Sequence, residues 1–351
     1  MRRDREASGV TPVTTEPGVI SSRDRVIRAL AFSRPDRAPR HLWALPGVEM
    51  FRPAELARLR SLFPEDFASA GVSYGSAVRA GGLQYRKGTY TDEWGCLWEV
   101  LEDGVVGEVK SPPLSDWDAL DRLAPPREIL EADWAGAEAA RAGTDRYLLA
   151  GTSVRPFERM QFLRGTENLF ADMAWGDARF LRLRSLVHEF FLEELSRWTR
   201  TGVDGISFMD DWGTQQSLLV SPEMWRAYYK PLYREYVALI TGSGKHAFFH
   251  SDGNIARIIP DLVEIGVSAL NSQLFCMDIE EIARRFRGKI TFWGEIDRQR
   301  ILPFGTPDDV RAAVRRVRRA LDDGSGGVIA QCEWGLRDPF ENVAAVFEAW
   351  G

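Results

Sequence analysis

The chain has 351 residues, of which 44% are hydrophobic and 27% charged, and its formal net charge is -6. This length can bury a large core, and the composition is that of an ordinary globular protein rather than a disordered one. The negative charge gives no reason to expect nucleic acid as a partner, and no apolar run approaches the roughly 20 residues that span a bilayer. Because the first residues also lack the apolar core of a signal peptide, the cytoplasm is the expected compartment.

Residues 1–20 are rich in Thr, Pro, Ser and Gly, which predicts a flexible leader, and residues 21–351 are expected to form one elaborated domain. An amphipathic segment begins at Ser21, and an apolar stretch over 41–46 predicts the first strand. Residues 72–113 alternate polar and apolar positions with many Gly and aromatic residues, which predicts an inserted antiparallel hairpin region. The three cysteines are scattered, so no disulfide framework is expected.

From about Tyr147 onwards, short apolar runs alternate with helical patterns, which is typical of repeated βα units. Residues 179–198 place apolar side chains at helical spacing, and Ser221 and Thr306 each precede a Pro, as at a helix start. The predicted strands lie at 41–46, 72–75, 147–153, 205–210, 246–250, 267–271, 290–294 and 327–332. About eight strands favour an α/β fold of the (β/α)8 TIM barrel type, with the antiparallel hairpin region inserted near the N-terminal third.

Polar residues follow several of these predicted strands. The carboxyl ends of parallel barrel strands meet around one mouth, so these residues are expected to converge although they lie far apart in sequence. The set comprises Asp210, Asp211, Gln215, His250, Asp252, Asn271, Gln273, Glu295, Asp297, Cys332 and Glu333.

His250, Asp252 and Cys332 form a candidate metal site within this set. Imidazole, carboxylate and thiolate are all zinc ligands, and three protein ligands leave a fourth position for substrate or water. The alternative is that His250 and Asp252 hydrogen-bond each other or a substrate while Cys332 only packs. Glu333 faces away from Cys332 in a regular strand, so whether it replaces or joins Cys332 as a ligand is open.

Catalytic roles are predicted for Asp210, Asp211 and Glu295. Asp210 and Asp211 are adjacent and point to opposite faces of a strand, so one of them is expected to enter the mouth. That residue is a ligand, a base or a substrate anchor, or else it caps the following turn.

Substrate-binding roles are predicted for Trp94, Gln215, Gln273 and Asp297. Trp94 belongs to the inserted region and can close over the mouth to exclude water, or it can pack in the core of the hairpin. Asp297 shares a strand face with Glu295 and can hold a polar ligand, or it can cap the next segment.

A series of short motifs runs through nearly the whole chain. They are Pro35-Asp-Arg-Ala-Pro39, Thr91-Asp-Glu-Trp-Gly95, Asp204-Gly-Ile, Asp210-Asp211-Trp212-Gly213, Ser221-Pro-Glu, His250-Ser-Asp-Gly-Asn254, Gly294-Glu-Ile-Asp297 and Pro339-Phe-Glu-Asn342. In this order they resemble the uroporphyrinogen decarboxylase superfamily, and more closely its methyltransferase-like branch, which includes zinc-dependent methylcobalamin:coenzyme M methyltransferases. The resemblance implies a (β/α)8 barrel.

The resemblance also bears on the substrate and the metal. The stretch 41–47 lacks the Arg-rich motif that uroporphyrinogen decarboxylases carry near the first strand, so a tetrapyrrole polycarboxylate is not the expected substrate. The zinc methyltransferases carry His-x-Cys after one strand and a Cys near the last strand. His250 matches the His, Asp252 stands in place of the first Cys, and Cys332 is the candidate for the second. Asp in place of Cys makes the site harder and richer in oxygen.

The leading hypothesis is a metal-dependent methyltransferase that moves a methyl group between a corrinoid or methylated small molecule and a thiol or related acceptor. Zinc is the expected metal and a corrinoid the expected co-substrate. The expected partners are a small-molecule substrate and a separate corrinoid protein, because the sequence shows no corrinoid-binding domain. Two alternatives are a metal-independent decarboxylase or lyase acting on a small carboxylic acid, and a non-catalytic protein that binds a corrinoid partner.

Overall fold

The computed structural model describes residues 20–351, so the predicted leader lies outside the described residues apart from residue 20. The strands are β1 Arg40–Ala44, β2 Phe67–Ser69, β3 Gly88–Thr91, β4 Leu97–Val100, β5 Glu108–Ser111, β6 Tyr147–Gly151, β7 Gly205–Met209, β8 His246–Ser251, β9 Ala269–Ser272, β10 Thr291–Trp293 and β11 Val328–Trp334. Short 3-10 helices cover Trp117–Arg122, Arg127–Leu130 and Leu274–Cys276.

The α-helices follow the strands as the βα pattern predicts. They are α1 Ser22–Leu30, α2 Pro46–Phe51, α3 Pro53–Leu62, α4 Ala135–Ala142, α5 Pro156–Arg164, α6 Thr166–Trp175, α7 Ala178–Trp198, α8 Pro222–Tyr228, α9 Lys230–Gly242, α10 Ile259–Glu264, α11 Ile279–Phe286, α12 Ile301–Phe304, α13 Pro307–Leu321 and α14 Phe340–Trp350. The hydroxyls of Ser21, Ser221 and Thr306 cap α1, α8 and α13 by accepting backbone N–H bonds. Among residues 20–351, no helix is long and apolar enough to cross a membrane.

Eight parallel strands form a nearly closed barrel in the order β1-β11-β10-β9-β8-β7-β6-β2, which confirms the predicted TIM barrel. The two end strands approach each other only near their beginnings. There the N–H of Asp66 donates to the carbonyl of Arg40 at 2.9 Å, and the N–H of Leu42 donates to the Glu65 carboxylate at 3.0 Å. Beyond these bonds no ladder pairing joins β1 to β2 among the described residues, so the barrel is not closed by hydrogen-bonded strands there.

The inserted region is an antiparallel sheet with the order β3-β4-β5, as predicted. Asp92 anchors it to the barrel, because its carboxylate accepts the N–H groups of Trp94 and Cys96, the indole N–H of Trp98 and a guanidinium N–H of Arg159. The Asp-Glu-Trp-Gly motif therefore joins the insertion to helix α5.

The prediction of a strand over 72–75 is wrong. These residues have no regular secondary structure, and the second barrel strand is Phe67–Ser69, whose backbone pairs with β6. Three residues are too few to show an alternation of polar and apolar positions, so the pattern favoured the neighbouring apolar stretch.

Strand alternation divides the barrel side chains between two cores. One cluster fills the interior of the barrel, and its members include Phe67, Tyr147, Phe248, Trp293 and Ile329. A larger cluster lies between the strands and the helices. Which cluster a residue joins decides whether it can reach the mouth of the barrel.

Candidate active site

The loops after β7 and β8 pack backbone against backbone at two glycines. A Cβ on Gly213 would lie 2.4 Å from the backbone nitrogen of Asn254, and one on Gly253 would lie 2.2 Å from Gly213. Gly253 also has a φ of +77°, which side-chain-bearing residues rarely adopt. The close approach lets the N–H of Gly213 donate to the carbonyl of Asp252 at 3.0 Å. Both glycines of the motifs therefore serve to bring the residues before them together.

His250 is held in one orientation by its neighbour on β9. Its Nδ1 lies 2.6 Å from the amide oxygen of Asn271. The amide nitrogen of Asn271 already donates to the carbonyl of Trp293 and to Gln331, so Nδ1 must be the donor to Asn271. The other ring nitrogen, Nε2, lies 3.5 Å from an oxygen of Asp211 and 3.5 Å from Oδ1 of Asp252. The site thus presents one imidazole nitrogen to two carboxylates.

Asp211, His250 and Asp252 form a group of possible metal ligands whose ligating atoms all lie within 4.8 Å of one another. Asp211 is held by the N–H of Asp252 at 2.9 Å, and Oδ1 of Asp252 is buried with no hydrogen-bond partner among the described residues. Burial disfavours the charged forms, but the contact between Asp211 and His250 outweighs it. The pKa of Asp211 lies below its ordinary value, and the pKa of His250 is raised to about 10.

These three residues fit a divalent metal ion. The donor set is one nitrogen and two oxygens, which zinc accepts. Metal-bound His residues commonly donate their other N–H to a protein oxygen, as His250 does to Asn271. The unpartnered Oδ1 of Asp252 is an atom that such an ion would satisfy.

The structure does not bring Cys332 to this group. Cys332 is 1% exposed and packs in the core between strands and helices, and its backbone pairs with Leu42 of β1, another residue of that core. Burial raises the pKa of its thiol well above the ordinary value. Its neighbour Glu333 is the residue that reaches the mouth, where it binds Arg298. The alternation along β11 therefore separates Cys332 from His250 and Asp252.

Asp210, predicted as catalytic, is fully buried and points away from the group. Its oxygens accept the N–H groups of Phe157 and Glu158 at 2.9 Å each and the hydroxyl of Tyr233. It caps the first turn of α5 rather than the turn that follows it. Of the two adjacent aspartates, Asp211 enters the mouth, as the alternation predicted for one of them.

Four predicted residues line a small cavity beside this group. The cavity has a volume of about 220 Å³, and its walls include Gln215, Gln273, Glu295 and Asp297. Gln273 accepts the N–H of Gly253. Oδ1 of Asp297 accepts two backbone N–H groups, those of Gln299 and Arg300, so this residue also caps its own turn.

Arg298 links the small cavity to the metal-ligand group. Its guanidinium binds Asp252 and Glu333, and its Nε lies 3.7 Å from Oε2 of Glu295. Glu295 is 2% exposed. Burial raises its pKa to about 8, with help from Glu333 and Asp252 and against the effect of Arg298.

A larger cavity of about 680 Å³ is lined in part by residues of β1 and β2. Its walls include His41, Trp43, Phe67, Met209 and Trp293. The ring centroid of Trp43 lies 5.4 Å from that of His250. The neutral form of His41 is favoured, because burial lowers its pKa to about 3 and its Nδ1 accepts the indole N–H of Trp293.

Trp94 does not line either cavity. It is 1% exposed and packs against Phe190 and Phe191 of α7, with the guanidinium of Arg159 above its ring. The alternative of core packing is therefore the one found for this residue.

Sequence reasoning missed Trp43, Glu158 and Arg298. Glu158 lies in the first turn of α5, where burial raises its pKa to about 7 and the charge of Asp211 adds to the effect, although Arg155 opposes it. Its position just after β6 was a signal, since the first turn that follows a barrel strand faces the mouth. Arg298 directly follows the Gly-Glu-Ile-Asp motif. Trp43 lies two residues after His41 on β1 and therefore shares its strand face.

Comparisons with known proteins agree with this architecture. Residues 92–350 match the family model described as Uroporphyrinogen decarboxylase (URO-D), and no match was found among curated proteins. A methyltransferase from Methanosarcina mazei superposes with a TM-score of 0.67 at 15% identity, over 95% of this chain and 98% of that one. A glycosylated endo-beta-1,4-xylanase from Gloeophyllum trabeum gives a TM-score of 0.45 at 10% identity, over 92% and 98%. The likeness to the methyltransferase from Methanosarcina mazei shows a shared fold. The family model covers more than half of the sequence. The chain belongs to the uroporphyrinogen decarboxylase family.

Proposed function

We propose that the protein is a metal-dependent methyltransferase that moves a methyl group between a corrinoid or methylated small molecule and a thiol or related acceptor. Family membership supports the coarser statement that the chain is a decarboxylase-like or methyltransferase-like enzyme. The solved structure of similar fold that is named a methyltransferase is consistent with the narrower proposal.

The observation that carries the proposal is the group of Asp211, His250 and Asp252, which contacts one wall residue of each of the two cavities. Trp43 lines the large cavity and contacts His250, and Arg298 lines the small cavity and contacts Asp252. Transfer between two substrates needs two places that meet at one point, and proximity of the reacting groups accounts for much of such catalysis.

Asp211, His250 and Asp252 would hold zinc, in place of the set with Cys332. A bound metal ion lowers the pKa of an acceptor thiol and so raises its reactivity at neutral pH. The chain itself orients the imidazole through Asn271. Arg298 holds one oxygen of Asp252 and leaves the other free to face the group.

The large cavity is suited to an apolar methyl-bearing substrate, because aromatic rings and Met209 form much of its wall. His41, whose neutral form is favoured, adds no charge to this wall, whose charged residues are Arg60, Glu65 and Arg146.

The test is metal analysis combined with a methyl-transfer assay from methylcobalamin to a thiol. We expect about one zinc ion per chain and activity that is lost on treatment with a chelator and restored by zinc. Full activity in protein shown to be free of metal would overturn the proposal.

A metal-independent decarboxylase is the second candidate, and the buried carboxyl groups favour it. The pKa values of Glu158 and Glu295, raised to about 7 and about 8, allow each group to hold a proton near neutral pH and to give it to a reacting carbon. Release of carbon dioxide from a small carboxylic acid by chelator-treated protein would support this candidate over the first.

A further inference from the structure

The small cavity contains a buried carboxyl group, one oxygen of which has no hydrogen-bond donor in the part of the chain that the structure describes. Glu295 lines this cavity and is 2% exposed. Its Oε1 has no hydrogen-bond partner among residues 20–351, and the nearest cation, Nε of Arg298, lies 3.7 Å from Oε2, which is beyond hydrogen-bond distance. A buried acceptor without a donor is costly, so a ligand that donates to it would bind favourably.

The charges around Glu295 favour a cation over an anion as that ligand. Arg298 is already engaged by Asp252 and Glu333, and Asp297 adds a further carboxylate to the cavity wall. Arg300 lies at the exposed rim. Within reach of the buried carboxyl group, negative groups therefore outnumber free positive ones.

We propose that the small cavity binds the amine of the acceptor, so that the acceptor is a small aminothiol anchored on Glu295. This inference rests on the proposed function and names the chemical class of its acceptor.

The size of the cavity and its link to the metal-ligand group through Arg298 fit a molecule of a few non-hydrogen atoms. The volume of about 220 Å³ is below that of sites for drug-sized ligands. A single guanidinium group, that of Arg298, contacts both Glu295 and Asp252. An aminothiol with a short chain between nitrogen and sulfur is therefore the acceptor that would reach from Glu295 towards Asp252.

In the transfer, the methyl group moves from the donor to the sulfur of the acceptor. The thiol proton leaves to solvent, and the sulfur electron pair forms the new bond to the methyl carbon. The bond between that carbon and the donor breaks, and its electron pair stays on the donor.

The first experiment measures binding to chelator-treated protein by calorimetry with three thiols of similar size. These are cysteamine, 2-mercaptoethanol and mercaptoacetate, which carry a cation, a neutral hydroxyl and an anion. We expect cysteamine to bind at least about 10-fold more tightly than either of the others, because its ammonium group favours the ionised form of Glu295 and hydrogen bonds between ions are stronger than neutral ones. Equal affinities, or a preference for mercaptoacetate, would overturn the inference.

Two variants locate the effect. Glu295→Gln keeps the shape of the side chain and is expected to remove the preference for cysteamine, while Gln216→Ala, at the exposed rim of the same cavity, is expected to keep it. A Glu295→Gln protein that retains the preference would refute Glu295 as the anchor. The comparison of the three thiols on the unmodified protein needs no variant, so it stands if Glu295→Gln does not fold.

The second experiment separates this inference from the proposed function. Zinc-loaded protein is assayed for methyl transfer from methylcobalamin to each of the three thiols. Transfer to all three at equal rates would refute the amine site and support the function. A preference for cysteamine in binding, with no transfer to any thiol, would refute the function and support the amine site.

Discussion

Asp210 and Asp211 are adjacent in sequence but belong to different regions of the molecule. Asp210 lies in the layer between strands and helices, where two backbone N–H groups and a tyrosine hydroxyl satisfy it. Asp211 lies at the mouth of the barrel, where it accepts one backbone N–H and lies 3.5 Å from Nε2 of His250. The same contrast separates Cys332 from Glu333. Cys332 is packed between the strands and the helices, a region called the helix layer below, and Glu333 lies at the mouth.

Strand alternation in this fold therefore places adjacent residues in two environments. One residue packs between strands and helices, and the next reaches the mouth, where a ligand can bind. Asp210 has its hydrogen-bond partners within the protein, so its removal is expected to affect folding. The mouth retains buried oxygens, at Asp252 and Glu295, that have no hydrogen-bond partner among the described residues. Such groups lower stability and are typical of sites that bind a ligand.

The largest expected effect concerns the metal. His250→Ala should lower zinc affinity by at least about 100-fold, because it removes the nitrogen ligand from the proposed site. Zinc content after dialysis, measured by mass spectrometry, tests this. The matched control is Cys332→Ala, which should keep the metal because Cys332 faces the helix layer. Loss of zinc in the Cys332 variant alone would reverse the assignment of the two regions.

The second effect concerns folding. Asp210→Ala should lower the free energy of unfolding by roughly 3 kcal/mol or more, because buried donors of Phe157, Glu158 and Tyr233 lose their acceptor. Asp211→Ala should lower it by less than Asp210→Ala does, since it frees one backbone donor and His250 keeps Asp252 as a carboxylate partner. Urea unfolding of both variants provides the measurement. Equal losses of stability in the two variants would contradict the difference between the helix layer and the mouth.

The third effect is a dependence of stability on pH at the mouth. The pKa of Glu295 is raised from 4.5 to about 8, so the folded protein holds a proton that the unfolded chain releases. The stability that this protonation provides is present in full below about pH 4.5 and is lost as the pH rises through about 8.

Glu295→Gln removes this titration. Unfolding free energies of metal-free protein between about pH 5 and about pH 9 should fall more steeply for the unmodified chain than for the variant, by roughly a few kcal/mol over the range. Parallel curves for the two proteins would show that Glu295 titrates normally.

The smallest effect distinguishes the two roles of Asp297. Asp297→Ala should cost about 1 kcal/mol of stability, because the N–H groups of Gln299 and Arg300 lose their acceptor. Asp297→Asn should cost only a few tenths, since an amide oxygen also accepts these bonds. Thermal unfolding compares the two variants. An equal and large loss in both would show that the charge, not the cap, is what the protein needs.

Much of the fold was predictable because it follows from short-range patterns. Alternating strands and helical stripes from Tyr147 onwards predicted the βα units, and Ser221 and Thr306 marked helix starts that the structure confirms. The second strand was misplaced because Phe67–Ser69 has too few residues for a pattern and is defined by its pairing with β6.

The sequence by itself determined that polar residues follow the barrel strands and that His250 and Asp252, two positions apart, share one face. Only the tertiary structure decided which residue joins them. Asp211 comes from the neighbouring strand end, brought near by the contact between Gly213 and Gly253. Cys332 is turned away by the alternation along β11. The physical reason is that facing depends on the register of each strand, and register is set by pairing between strands that are distant in sequence.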